Sequence, residues 1–219
     1  MYFCLRIDLD YVPWDNPDAT EFGHGEPAMV LRLLDLARNM GYKYHFFASN
    51  RTLRAFPSSA EAVLNDGHDL DWLCKHPADA EARYRECKTL FSLIGHVARG
   101  MAVKTSWPED AARFEGTEEL EFLSAQPGYE PAGMRFFPVE TRSFRAGLRG
   151  GQTTKAWSDA TKLFLREAAS RNKGVTVVVR PQVLAKYDPR LATIREILDL
   201  SQVAGLRMAT LRDLMKSPV

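Results

Sequence analysis

Two aspartates close to the start of the chain have the types and spacing for shared chemistry. Asp8 and Asp10 follow the mostly apolar residues 2–5, which are typical of a buried strand. Because residues i and i+2 of a strand share one face, both carboxylates point the same way. Paired carboxylates at a strand end usually hold a cation or share a proton. The alternative is a strand end with solvated acids, or a pair that caps the next turn.

The composition narrows the class of protein. The chain has 219 residues, of which 45% are hydrophobic, and this favours a single domain over residues 1–219. Its 29 basic and 28 acidic residues nearly balance, which gives no support for nucleic-acid binding. No apolar run reaches the roughly 18 residues of a membrane span, and the first residues do not resemble a signal peptide. Three irregularly spaced cysteines fit no disulfide or zinc framework, so we expect a cytoplasmic protein.

Apolar strands alternate with amphipathic helices along the chain. Short apolar runs predict strands at residues 2–5, 42–47, 68–74, 97–103, 134–139, 175–179 and 206–210. Helical spacing with proline or capping starts and glycine stops predicts helices at residues 26–40, 58–65, 78–94, 154–171, 188–205 and 211–215. Residues 105–132 are broken by proline, glycine and charges and give no clear prediction.

This alternation predicts an α/β fold with a parallel sheet, either open or closed into a barrel. In both forms the functional side chains lie at the carboxyl ends of the strands. The polar residues that we expect at this edge are Asp8, Asp10, His45, Ser49, Asn50, Asp69, Asp71, Lys75, His76, Lys104, Glu140, Arg180 and Gln182.

Several of these segments together resemble a known family. In order and spacing they are similar to the polysaccharide deacetylases, the NodB-homology group of metal-dependent amide hydrolases. The similar segments are residues 5–10 (LRIDLD), 41–47 (GYKYHFF), 67–70 (GHDL), 75–77 (KHP), 93–101 (LIGHVARGM) and 177–181 (VVVRP). The first of them is similar to the first motif as it occurs in the sugar-deformylase branch. The resemblance implies an irregular (β/α)7 barrel of parallel strands.

The resemblance also implies a chemistry. Family members hold a divalent metal with one Asp and two His, and the metal polarises the amide carbonyl and a bound water. A second Asp takes the proton of the water, and a late His protonates the leaving amine. The resemblance assigns the base to Asp8, the metal carboxylate to Asp10 and the second metal histidine to His76.

The other metal-binding and catalytic residues of the family are replaced in the present sequence. The first metal histidine falls on Trp72 or Leu73, which cannot bind a metal, and the third-motif arginine falls on Ala102. The late acid falls on Arg180, which cannot give up a proton near neutrality.

Too few metal ligands therefore remain for the site of the family. A catalytic zinc usually has three protein ligands, and Asp10 with His76 supplies two. Recruiting Asp71 or Asp69 would make an oxygen-rich site that favours Mg²⁺ or Mn²⁺. We predict no tightly bound cofactor, with a divalent Zn, Mg or Mn ion as the alternative.

The replacements leave two main hypotheses for a carbohydrate protein of bacterial surface-glycan metabolism. One is a pseudoenzyme that keeps the sugar cleft and binds without hydrolysis. The other is an amide hydrolase, a sugar N-deacetylase or deformylase, rebuilt around Asp8, Asp10, Asp71 and His76. A transferase built on the same cleft is a third possibility.

Positive side chains suggest what the cleft binds. Arg180 places a permanent charge at the mouth of the predicted barrel, and Lys104 and Lys75 follow two other predicted strands. Arg180 either pairs with Asp8 or Asp10 and closes the metal site, or it holds a carboxylate or phosphate of an anionic sugar or sugar nucleotide.

Two further regions are expected to be structural. His45 lies among aromatic residues and is typical of a core histidine with satisfied hydrogen bonds. Residues 145–151, with two arginines and three glycines, are expected to form a flexible solvated loop, with contact to an anionic ligand as the alternative.

Overall fold

The computed structural model describes residues 1–11, 26–75, 77–107, 119–128, 130 and 133–216. Its strands are β1 (Tyr2–Leu9), β2 (His45–Ala48), β3 (Asp69–Cys74), β4 (Gly100–Ser106), β5 (Phe122–Gln126), β6 (Arg135–Pro138), β7 (Val175–Val179) and β8 (Arg207–Met208). Its helices are α1 (Glu26–Met40), α2 (Asn50–Ala55), α3 (Pro57–Asn65), α4 (Ala80–Leu93), α5 (Phe144–Arg149), α6 (Thr154–Ser170), α7 (Pro181–Tyr187), α8 (Ala192–Val203) and α9 (Leu211–Lys216). A 3₁₀ turn, Pro77–Asp79, precedes α4.

All strand pairs of the sheet are parallel. The order is β6-β5-β4-β3-β2-β1-β7, and the short β8 pairs with the first residues of β1. Between the ends of this path, the Thr141 hydroxyl after β6 donates to the Thr176 carbonyl of β7, at 2.9 Å. The sheet is thus nearly closed into a barrel, and the predicted (β/α)7 fold of parallel strands is confirmed.

Alternation along β1 separates the two faces of the sheet. Phe3, Leu5, Ile7 and Leu9 pack in the larger core cluster, between the sheet and the helices. Cys4 belongs to a second cluster with residues of β2, β3, β4 and β5, which fills the inside of the barrel. Since successive strand residues face opposite sides, Arg6 and Asp8 share the inner face with Cys4.

The amino ends of the strands are covered by α9. The Leu211 backbone N–H donates to His45 Nδ1 at 3.0 Å, and the Arg212 guanidinium donates to Asp71 Oδ1 and Oδ2 at 2.6 and 2.8 Å. His45 Nε2 also pairs with Asp71 Oδ2 at 2.9 Å, so both ring nitrogens have partners. The prediction that His45 is a satisfied core histidine is confirmed.

Several elements differ from the sequence prediction. The strand β5 lies in the stretch that gave no prediction, and α2 and α7 are helices of six and seven residues that were missed. The predicted loop at 145–151 was wrong in its first part, because α5 occupies Phe144–Arg149 with the Ser143 hydroxyl accepting from the Ala146 N–H. Such short elements are too brief to display a period and depend on packing against the rest of the fold.

No helix among the described residues is long and apolar enough to cross a bilayer.

Candidate ligand site at the carboxyl ends of the strands

Asp8, the predicted base, is bound by an arginine of its own strand. Arg6 Nε donates to Asp8 Oδ1 at 2.7 Å, and Arg6 Nη2 donates to Oδ2 at 3.1 Å. The remaining guanidinium hydrogens reach the carbonyls of Ser124 and Val103, at 2.8 and 2.9 Å, and the face of the guanidinium lies 5.3 Å from the Phe47 ring centre. Both residues are almost fully buried, at 1% exposure. Asp8 therefore belongs to a complete, two-bond ion pair inside the barrel.

Sequence reasoning missed Arg6. The signal was present, because Arg6 stands at the same i, i+2 spacing from Asp8 as Asp10 does. An arginine on the same strand face as two acids is a ready counter-charge, and it was left out of the predicted site.

Asp10, the predicted metal carboxylate, is surrounded by positive side chains. Lys104 Nζ donates directly to Asp10 Oδ2. Arg180 Nη1 and Lys75 Nζ lie 3.6 and 3.8 Å from the same oxygen. The three cations come from β4 and from the residues that follow β7 and β3, while Asp10 is the first residue after β1. Four predicted site residues are thus brought together at the carboxyl end of the barrel.

These charges set the protonation of the cluster. Burial would raise the pKa of Asp10, but the charges of Lys104, Arg180 and Lys75 outweigh it and lower the pKa to about 2. Burial and the neighbouring Arg180 charge lower the pKa of Lys104 to about 8, against the opposing attraction of Asp10. One carboxylate is ionised and shared among three cations, so it does not neutralise them all.

Several polar atoms of the cluster have no hydrogen-bond partner. They are Asp10 Oδ1, Arg180 Nη1 and Gln182 Oε1, all buried. Gln182 is itself held by its amide N–H, which donates to the Asp10 carbonyl at 2.8 Å. Buried polar atoms are normally paired, so unpaired ones at a cavity are places where a ligand or water can bind.

A small cavity of about 30 Å³ lies beside the cluster. Asp8, Lys104 and Arg180 are among the residues that line it, together with Arg6. Asp8 and Arg180, which were both expected at this edge, thus line one cavity. His76, the other residue expected there, lies outside the described residues.

Asp69 and Asp71 are not at this end of the barrel, and the expectation that β3 delivers them there was wrong. They are the first and third of its six residues, near the amino end. Asp71 is bound by His45, by Arg212 and by the backbone N–H groups of Arg99 and Gly100, at 2.7 and 3.0 Å. Its carboxylate is saturated, and the structure does not bring it to Asp10.

The described residues do not suit a divalent metal. They contain no group of three or more His, Cys, Asp or Glu side chains arranged to hold an ion. At Asp10 an incoming metal would meet three positive charges within a few ångströms, and this repulsion is strong in a buried site. The carboxylate that the resemblance assigns to a metal is instead the counter-ion of lysine and arginine.

The fold is similar to that of several solved structures. A Mycobacterium smegmatis protein named as a polysaccharide deacetylase matches with a TM-score of 0.77 and 13% identity, over 98% of this chain and 88% of that one. One from Pseudomonas aeruginosa PAO1 matches with a TM-score of 0.76 and 12% identity, over 98% and 89%. A CE4 family pseudoenzyme from Bacillus anthracis matches with a TM-score of 0.64 and 10% identity, over 98% and 65%.

No family model and no curated protein matches the sequence of the chain. The predicted resemblance to the polysaccharide deacetylases is confirmed for the fold, which these solved structures share. At such identities the likeness concerns the fold, and the activity has to be argued from the site.

Proposed function

We propose that this protein binds an anionic carbohydrate at the carboxyl end of the barrel and does not hydrolyse it. The observation that carries the proposal is the gathering of Lys75, Lys104 and Arg180 around the single carboxylate of Asp10. The cluster has a positive surplus, and an anion would balance it. Arg180 Nη1, which has no hydrogen-bond partner, gives that anion a donor, since guanidinium groups bind carboxylates and phosphates well.

Hydrolysis is disfavoured by the state of the other groups. Both oxygens of Asp8, the residue assigned as the general base, accept from the buried Arg6, so this carboxylate is engaged in an ion pair before a water molecule arrives. The position of the late acid is held by Arg180, which keeps its proton. The alternative, an amide hydrolase rebuilt around Asp8, Asp10, Asp71 and His76, is weakened because Asp71 is bound at the other end of the barrel.

The biological setting is part of the same proposal. The motif resemblance supports bacterial surface-glycan metabolism, and the named neighbours come from bacteria. Cytoplasmic residence fits the three cysteines, which are all buried and are not joined by disulfides. The Bacillus anthracis neighbour is described as a pseudoenzyme, so this fold also exists in a protein of that kind.

The test compares a negatively charged sugar with its neutral counterpart. A uronic acid trisaccharide and the matching neutral trisaccharide are titrated calorimetrically into the wild type, into Arg180→Gln and into the control Arg166→Gln, an exposed residue of α6. We expect the wild type and the control to prefer the charged sugar, and Arg180→Gln to lose the preference while keeping its melting temperature. Equal binding of both sugars by the wild type contradicts the proposal. Early melting of Arg180→Gln with unchanged preference would make Arg180 a structural counter-ion only.

A further inference from the structure

A second cavity lies next to the proposed site and shares Asp10 with it. It has a volume of about 160 Å³, and its lining includes Lys75 and three arginines, Arg51, Arg54 and Arg83. Asp10 lines this cavity, while its partners Lys104 and Arg180 line the smaller one. The two cavities therefore meet at the same carboxylate.

The positive charge of the second cavity is only partly balanced. Glu86 pairs with Arg54, and Arg83 Nη1 lies 3.6 Å from Glu86 Oε2. Arg51 Nη1 is buried and has no hydrogen-bond partner. Within the described part of the chain, the six cations of both cavities face only two carboxylates, Asp10 and Glu86, apart from the closed Arg6–Asp8 pair.

The framework behind these arginines is fixed by an asparagine. Asn50 Nδ2 donates to the Arg83 carbonyl and to Glu86 Oε2, at 2.8 and 2.9 Å, and Asn50 Oδ1 accepts from Trp72 Nε1 at 2.9 Å. Asn50 thereby joins α2 to α4 and to β3. Such cross-links hold the backbone around a charged cavity in place before a ligand arrives, which favours binding.

We propose that the second cavity is a phosphoryl subsite, with Arg51, Arg54 and Arg83 around the phosphoryl group of a phosphorylated carbohydrate. This rests on the proposed function and names the ligand class more closely. A phosphate monoester carries up to two negative charges and three acceptor oxygens, which suit several guanidinium groups better than one carboxylate does. The cavity is smaller than the about 300–1,000 Å³ of sites that enclose a whole drug-sized ligand, so it holds one compact group of a larger molecule.

The experiment measures binding of four probes: a sugar phosphate, the same sugar unphosphorylated, a uronic acid and inorganic phosphate. The test variant is Arg51→Gln/Arg83→Gln, and the control is Arg166→Gln/Arg171→Gln, which removes two charges from exposed positions on and just after α6. We expect the test variant to weaken sugar phosphate binding by about tenfold or more, the effect of losing charged hydrogen bonds. We expect the test variant to bind the uronic acid as tightly as the wild type does, and the control variant to bind the probes as the wild type does. Arg54→Gln, at a side chain 58% exposed, repeats the test if the double variant is unstable.

Each other outcome is decisive. The phosphoryl subsite is wrong if the wild type binds the uronic acid but binds the sugar phosphate no more tightly than the unphosphorylated sugar. It is also wrong if the test variant binds the sugar phosphate as tightly as the wild type does. In both cases the proposed function stands. Equal binding of inorganic phosphate and sugar phosphate also overturns the phosphoryl subsite, because the cavity would then be a free-phosphate site. If no anionic sugar binds at all, the proposed function itself fails.

Discussion

Arg180 Nη1 lies 3.6 Å from Asp10 Oδ2, and each residue is the first one after its strand. Those strands, β7 and β1, are neighbours in the sheet, so their carboxyl ends bring the two side chains together. Lys75 is likewise the first residue after β3, and Lys104 lies in β4. The barrel thus collects positive charge from three strands around an acid from a fourth.

Replacing Asp10 by asparagine should destabilise the fold. The change leaves three cations close together without their shared counter-ion, and breaking a buried ion pair typically costs about 3 kcal/mol or more. We expect the free energy of unfolding in urea to fall by about this amount. The control is Asp159→Asn in the exposed Lys155–Asp159 pair, where we expect no measurable change. Equal stability of the two variants would show that Asp10 is not the counter-ion of the cluster.

Binding of an anionic sugar should be accompanied by proton uptake near pH 8. The pKa of Lys104 is lowered to about 8, and a bound anion would raise it, so a partly neutral Lys104 gains a proton on binding. The affinity should fall as the pH rises from 7 to 9, because neutral Lys104 no longer attracts the anion. Calorimetry in buffers of different ionisation enthalpy measures the uptake. The same uptake in Lys104→Gln would assign the proton to another group.

Amide hydrolysis should be undetectable. With acetylated chitin oligomers or peptidoglycan fragments, and with Zn²⁺, Mg²⁺ or Mn²⁺ added, we expect no release of acetate above a protein-free control. The reason is the loss of a metal ligand and of the late acid, since each about 1.4 kcal/mol of lost transition-state stabilisation lowers the rate tenfold. Turnover that disappears in Asp8→Asn would show that the site has been rebuilt instead of lost.

The amino end of the barrel should matter for stability and not for binding. Arg212→Gln leaves the buried Asp71 without its two-bond partner, so we expect the free energy of unfolding to fall by about 3 kcal/mol. Arg99→Gln is the control, because its exposed side chain pairs with Glu121 while its backbone N–H keeps its bond to Asp71. Sugar affinity at a temperature where both variants are folded should be unchanged. A large loss of affinity in Arg212→Gln would connect the two ends of the barrel.

Much of the fold could be predicted because the strands are buried on both faces. Runs such as Val175–Val179 are unbroken and β-branched, and the helices between them have clear starts and stops. The strand β5 was missed because its sequence, FLSAQ, is only partly apolar, and Ser124 is buried through its bonds to Arg6. That bond joins residues 118 positions apart, so no local pattern contains it.

The position of the candidate site could be predicted from the sequence, but the ion pairs within it could not. Asp10, Lys75 and Arg180 follow strands, and the carboxyl ends of parallel strands meet at one edge. Which cation meets which acid depends on the tilt and register of the strands, which the sequence does not display. Asp71 was misplaced for a related reason, because a residue near the start of a strand lies at the opposite end of the barrel.

Lysine and arginine surround Asp10, the carboxylate that the resemblance assigns to a metal, and we expect them to leave the site ready for an anion. The most direct measurement is the affinity for the uronic acid trisaccharide in excess chelator and again with added Zn²⁺, together with the metal content of protein purified without added metal. We predict equal affinity in both conditions and no stoichiometric zinc. Binding that requires the metal, or stoichiometric zinc that is lost in Asp10→Asn, would show that Asp10 holds a metal ion and is not the counter-ion of the three cations.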